Sequence, residues 1–187
     1  AIDCWWLIPS PRPQWSRFLY KNPTVAGVPT PREGFTMDYD FVERSVLIFG
    51  GLDSSNQNLN DCWYISLGPD DKVAHLESYD WKSCRPTTNA TGEIATQPPP
   101  RFGHGSAYFA GMGDKSLYIF GGFADDGIGI YAQGDMWRLA EHNTAAARWT
   151  QVDPVSIGPA ARGFHAMWRA GFKIIVHGGQ GADGVGT

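Results

Sequence analysis

A chain of 187 residues with 42% apolar content has room for one globular domain with a sizeable core, or for two small ones. Its formal net charge of −4, with no run of Lys or Arg, excludes the basic footprint of a nucleic-acid binder. No apolar stretch nears the roughly 18–20 residues of a membrane-spanning helix, so a membrane is not an expected partner either.

The remaining composition, 23 Gly, 13 Pro and 8 Trp, suits many short strands joined by irregular turns. In chain order the first elements are IDCWWLI at 2–8 and PQWSRF at 13–18, two tryptophan-bearing strands. PREGF at 31–35 then precedes VLIFGG at 46–51, NDCWYISL at 60–67 and YDWKSC at 79–84. The same four elements return as PPRFGHGSA at 99–107, LYIFGG at 117–122, GDMWRLA at 134–140 and ARWTQV at 147–152. A third round opens with PAARGFHAM at 159–167 and IIVHGG at 174–179. Residues 31–84 and 99–152 therefore read as complete repeats, 1–18 as the second half of one and 155–187 as the first half of another.

VLIF, LYIF and KIIV are continuously apolar, which predicts strands buried on both faces. Gly50-Gly51, Gly121-Gly122 and Gly178-Gly179 end them where the backbone turns sharply or a neighbour approaches closely. Trp5, Trp63 and Trp137 are the expected approaching rings, with Trp81 and Trp149 in the fourth strands.

With these motifs in fixed order over essentially the whole sequence, the chain resembles the kelch-repeat family. That resemblance implies an all-β, kelch-type β-propeller of four-stranded antiparallel blades, with an incomplete ring in these residues. Two departures stand out: His177 replaces the usual aromatic residue before the third glycine pair, and Thr36 takes the place that His104 and His165 hold in the other repeats. Propellers close with four to eight blades, so further blades of a longer chain are expected on both sides. The opening AIDCWWLIPS lacks an initiator Met and the basic start of a signal peptide, so Ala1 is not expected to be a native N-terminus.

In a propeller the loops LDSSNQNLN and FADDGIGIYAQG share one face with the residues that begin each first strand. Arg32, Arg101 and Arg162 should ring that face, beside Asp53, Asp125, Asp126 and Tyr131. Two readings of the arginines stand. They contact an acidic protein or peptide, or each pairs with a carboxylate of its own loop, Asp53, Asp125 or Asp183. On the first reading, reversing the charges of Arg101 and Arg162 abolishes capture and spares the fold.

Catalytic chemistry has little support. GQGADG at 179–184 matches a dinucleotide-binding pattern, but GVGT is a poor helix start. His104 and His165 hold repeat positions, His177 reads as a satisfied inner-strand histidine, and His75 and His142 fall in outer connections. No histidines show metal-ligand spacing, DDGIGIYAQGD lacks the alternating acids of a calcium loop, and Ser106 lacks a nucleophile elbow. The expected function is a non-catalytic scaffold without cofactor or metal that binds a protein or peptide partner. A carbohydrate-active propeller enzyme, of oxidase or sugar-isomerase type, and an architectural subunit of a large assembly are the alternatives. Three cysteines fit no disulfide framework. An intracellular, cytoplasmic setting is expected, and whether Cys62 and Cys84 pair is open.

Overall fold

The computed structural model describes residues 5–9, 11–17, 27–67, 81–84 and 96–181. Fifteen strands and no helix occur among them. Near the start, β1 (Trp5–Ile8) and β2 (Gln14–Arg17) form an antiparallel hairpin in which Trp5 opposes Arg17. The first complete sheet contains β3 (Arg32–Glu33), β4 (Thr36–Asp40), β5 (Ser45–Asp53), β6 (Asn58–Ser66) and β7 (Lys82–Ser83). Its order is β4-β5-β6-β7, with β3 pairing the far end of β5. In the second sheet, β8 (Gly105–Gly111), β9 (Asp114–Phe120), β12 (Met136–Ala140) and β13 (Arg148–Val152) pair in chain order. Between β9 and β12 the chain adds a separate hairpin, β10 (Phe123–Asp125) with β11 (Ile130–Ala132). A third sheet begins with β14 (Ala166–Ala170) and β15 (Lys173–His177).

These sheets are the blades of an all-β propeller, and they stack face to face, with β8 lying between β4 and β14. Leu47, Phe49 and Tyr64 from the first blade meet Tyr108, Leu117, Ile119, Leu139 and Trp149 from the second in one buried cluster. On the opposite face of the first blade, Ile48 packs with Ile65 and Trp81. The middle strands β5 and β9 are thus buried on both faces, as their unbroken apolar runs require. The third run behaves differently. β15 alternates between exposed and half-buried residues, and His177 at its end is exposed rather than enclosed. Only the face turned to the second blade is covered among the described residues. Cys62 and Cys84 form a disulfide across the outer strands, with Cα atoms 5.1 Å apart.

No tryptophan is among the three nearest neighbours of a methyl group placed on Gly50, Gly51, Gly121 or Gly122. Trp137 is buried in the core, Trp63 is half-buried, and Trp5 is 51% exposed. The close approach comes from the next blade's backbone and histidine. A methyl group on Gly50 would sit 2.8 Å from the carbonyl oxygen of Arg101 and 3.0 Å from the His104 ring. Gly121 faces Arg162 and His165 in the same way. The second glycine makes room within its own blade, where a methyl group on Gly122 would meet the Phe102 carbonyl oxygen and His104 Cβ, each at 2.8 Å. All six glycines have φ between 62° and 100°, a left-handed conformation that only glycine adopts without strain.

The same contacts realign the repeat. Phe35, His104 and His165 occupy equivalent places against Gly51, Gly122 and Gly179. Thr36 is equivalent to Gly105 and Ala166, as its pairing with Phe49 matches theirs with Phe120 and His177. The residue in the histidine position of the first repeat is therefore Phe35, not Thr36. Gly122→Ala is expected to lower stability by about 2–4 kcal/mol, combining left-handed strain with overpacking. Urea unfolding of the variant measures it, and a change within about 0.5 kcal/mol would refute the space argument.

Candidate functional site

Arg101 and Arg162, which begin the second and third blades, each work twice. The backbone joins the preceding blade: the Arg101 N–H donates to Leu59 O at 3.0 Å, and its carbonyl accepts from Gly51 N–H at 2.9 Å. Arg162 repeats this with Gln133 O at 3.2 Å and Gly122 N–H at 2.8 Å. The side chain then turns into its own blade. Arg101 Nη1 and Nη2 donate to the two carboxylate oxygens of Asp135 at 2.7 and 2.8 Å, Nη1 also reaches Gly121 O at 3.0 Å, and Nε reaches Pro99 O at 3.1 Å. Arg32 makes the same set with Asp61, Gly50 O and Thr30 O. Trp63 and Trp137 donate their indole N–H to Asp61 and Asp135 at 2.6 and 2.5 Å. The Asp-x-Trp motif is thus the receptor for the arginine.

Burial alone would raise both carboxyls, but hydrogen bonds from the arginine and the tryptophan outweigh it and hold Asp61 and Asp135 below the usual aspartate range. The guanidinium of Arg101 is fully buried and that of Arg32 is 3% exposed. Neither loop acid expected to pair with them does so: the partners are Asp61 and Asp135 rather than Asp53 and Asp125. Arg162 donates from Nε to Ala160 O and from Nη1 to Gly178 O, both at 3.0 Å, while Asp183 lies outside the described residues. Reversing the charge at Arg101 would bury a Glu beside Asp135, so this change cannot spare the fold.

The loop face presents other groups. Asp125 and Asp126 accept N–H groups from their own turn, Gly127 at 2.8 Å and Ile128 at 2.9 Å, and Asp126 also accepts from Gly129 at 3.1 Å. These backbone donors hold the Asp126 carboxyl below its ordinary value. Asp53 accepts from Ser55 and Gln57 N–H at 2.8 and 2.9 Å. The turns are therefore ordered while most of their negative charge faces water. Ile128 is 95% exposed at the tip of the β10–β11 hairpin, followed by Ile130 and Tyr131 at 59% and 43%.

Behind the hairpin, Phe102, Phe123 and Phe164 form a cluster with ring centroids 5.5–6.0 Å apart. Phe164 is itself 57% exposed. A backbone chain runs beneath them from blade to blade, Phe164 N–H to Gly103 O at 2.6 Å and Gly103 N–H to Gly34 O at 2.8 Å. Sequence reasoning missed Ile128, Ile130, Phe102 and Phe164. Two isoleucines in a glycine-rich loop were a readable signal for the first pair; the phenylalanine cluster had none, because its members lie in different repeats.

The remaining polar residues bind the blades together. His104 Nε2 is hydrogen-bonded to Thr36 Oγ1 at 2.9 Å, and its ring packs edge-on against Phe49 at 5.3 Å. Burial, with the charges of Arg101 and His165 adding to it, pushes His104 down to about 3. His165 sits likewise against Phe120 at 5.4 Å, and burial lowers it too. At the other end of this seam, Ser106 Oγ–H donates to Asp38, and Ser45 is hydrogen-bonded to His142 at 3.1 Å. Among the described residues no group of three His, Cys, Asp or Glu is placed to hold a metal ion.

Four-stranded blades, glycine pairs opening onto the next blade and an Arg-Asp-Trp clamp define a repeat-built β-propeller. A family model for the KLHDC2/KLHL20/DRC7 Kelch-repeats domain matches residues 3–186, and the chain belongs to that kelch-repeat family. An F-box/kelch-repeat protein of Arabidopsis thaliana is 26% identical over 157 residues, 83% of this chain and 29% of that protein. The Rab9 effector protein with kelch motifs of Bos taurus is 31% identical over 140 residues, 74% of this chain and 31% of its own length. The solved structure of YjhT superposes with a TM-score of 0.54 at 20% identity, covering 84% of this chain and 37% of that one, a likeness of fold. The chain spans between 29% and 37% of each of these proteins.

The seam histidines make stability depend on pH in a definite direction. Below about 6.5 the unfolded chain takes up a proton that His104 refuses until about 3. The folded state is therefore at full strength above that window and weakens as pH falls through it. His104→Phe, which copies Phe35, should flatten the fall in melting temperature between pH 7 and 5, leaving the contributions of His142 and His165. An unchanged slope would show that His104 does not carry a proton difference.

Proposed function

We propose that this chain is part of a non-catalytic kelch scaffold that holds a protein partner on its loop face. The observation that supports this reading most is the exposed hairpin of β10 and β11, which places Ile128, Ile130 and Tyr131 above an otherwise tightly packed blade. Exposed apolar groups rimmed by charge mark interaction surfaces, and loops on a fixed scaffold are the usual place for them. The relatives described as an F-box protein and a Rab9 effector fit a role in protein assembly.

The charge preference differs from an acidic partner. Arg32 and Arg101 are neutralised inside their own blades, so the exposed charge near the hairpin comes from Asp125 and Asp126, with Glu33 and Asp53 on the neighbouring blade. Such a face fits a partner segment carrying Lys or Arg beside apolar residues. A second reading, the carbohydrate-active enzyme, has no observation in its favour among the described residues.

The test uses the full-length protein isolated from its own cells with its bound proteins. Combining Ile128→Ser, Tyr131→Ser, Asp125→Lys and Asp126→Lys should remove the copurifying partner and leave the melting temperature within about 2 °C, because these positions lie outside the core. An unchanged partner set would refute the loop-face reading.

A further inference from the structure

The face opposite the variable loops is built from the turns between first and second strands, at 41–44, 112–113 and 171–172. Such tips usually carry polar residues. Here Phe41 is 47% exposed, Met112 89% and Phe172 71%. Arg169, on β14, places its guanidinium 5.2 Å from the Phe41 ring centroid and 5.4 Å from that of Phe109. Each of three blades contributes one member of this cluster. The patch continues to Phe172, since a methyl group on Gly111 would meet the Phe172 ring at 3.2 Å and Phe109 at 3.6 Å.

Arg169 differs from the clamp arginines in what its nitrogens do. Its Nε–H donates to Gly171 O at 2.9 Å, while its two terminal nitrogens have no acceptor among the described residues. A guanidinium held over aromatic rings keeps terminal N–H donors available, and their fork matches a carboxylate. The surroundings are cationic. Arg44 stands on the first turn, and Lys115 and Lys173 at the starts of β9 and β15 that follow the other two. Asp114 is occupied by Ser116, Tyr118 and Arg138, and Glu43 lies 4.0 Å from Lys115. In a chain of net charge −4 this is a local reversal of sign.

We propose that this turn face is a second docking surface, taking an acidic peptide segment whose carboxylate pairs with Arg169 while an adjacent apolar side chain covers Phe41 and Phe172. A guanidinium held over two rings favours a peptide over a lipid surface, because it offers one localised fork of donors to a carboxylate instead of diffuse positive charge. This proposal is independent of the loop-face reading and opposite to it in charge preference.

The test is selection of a random-peptide library displayed on phage against the full-length protein, counter-selected on its Arg169→Gln variant, followed by fluorescence anisotropy of the peptides recovered. The expected peptides carry Asp or Glu beside an apolar residue. They should bind at least tenfold more weakly to Arg169→Gln and to Phe172→Ser, and unchanged to Ile128→Ser. Should Arg169→Gln lower the melting temperature, the pair Lys115→Glu and Lys173→Glu carries the test and should weaken the same peptides severalfold. Recovery of basic peptides, or of none that separate the wild type from Arg169→Gln, would overturn the proposal. So would Arg169-dependent binding of phosphatidylserine vesicles with no peptide recovered.

Discussion

The fold rests on a guanidinium that water never reaches. Arg101 carries one full charge into a site with no exposure, and the structure tolerates it only because Asp135, Gly121 O and Pro99 O take up its donors. Its backbone is meanwhile held by Leu59 O and Gly51 N–H of the blade before. One residue thereby locks its own blade and fixes the distance to its neighbour. The indole N–H of Trp137 completes the set, which ties the aromatic strand to the same carboxylate.

That clamp has a steric condition. The arginine carbonyl and the following histidine can reach the preceding blade only where Gly50 and Gly121 carry no side chain. Their left-handed backbone also redirects the chain away from the seam into the variable loops. Loop length is free beyond that point, and the second blade uses the freedom to extrude the hairpin that ends in Ile128. Rigid packing and variable presentation are consequences of the same two residues.

The two ends of the blades have opposite characters for related reasons. At the loop end the strong cations Arg32 and Arg101 are neutralised internally, so the exposed acids set the sign. At the turn end the acid Asp114 is consumed by Arg138 and two hydroxyls, so Arg169 and the lysines set it. Formal charge counted along the chain gives neither result, because it does not reveal which charges cancel in the interior.

Sequence alone determined the class of fold. Strand, glycine pair, Asp-x-Trp and arginine recur in order, and recurrence needs no knowledge of contacts. It also gave the unbroken apolar burial of β5 and β9, since a strand between two blades admits no polar alternation. What each repeated residue touches was decided only by the tertiary structure. Position in the repeat sets Trp137 against the glycines and Thr36 in the place of His104, whereas the ring beside Gly50 belongs to His104 of the next blade and Thr36 aligns with Gly105. Repeat position likewise gives the arginines to the surface or to loop acids, whereas Arg32 and Arg101 belong to Asp61 and Asp135 inside. The reason is physical: a repeat fixes what recurs along the chain, but these partners meet across strands and across blades, where separation in sequence carries no information about distance.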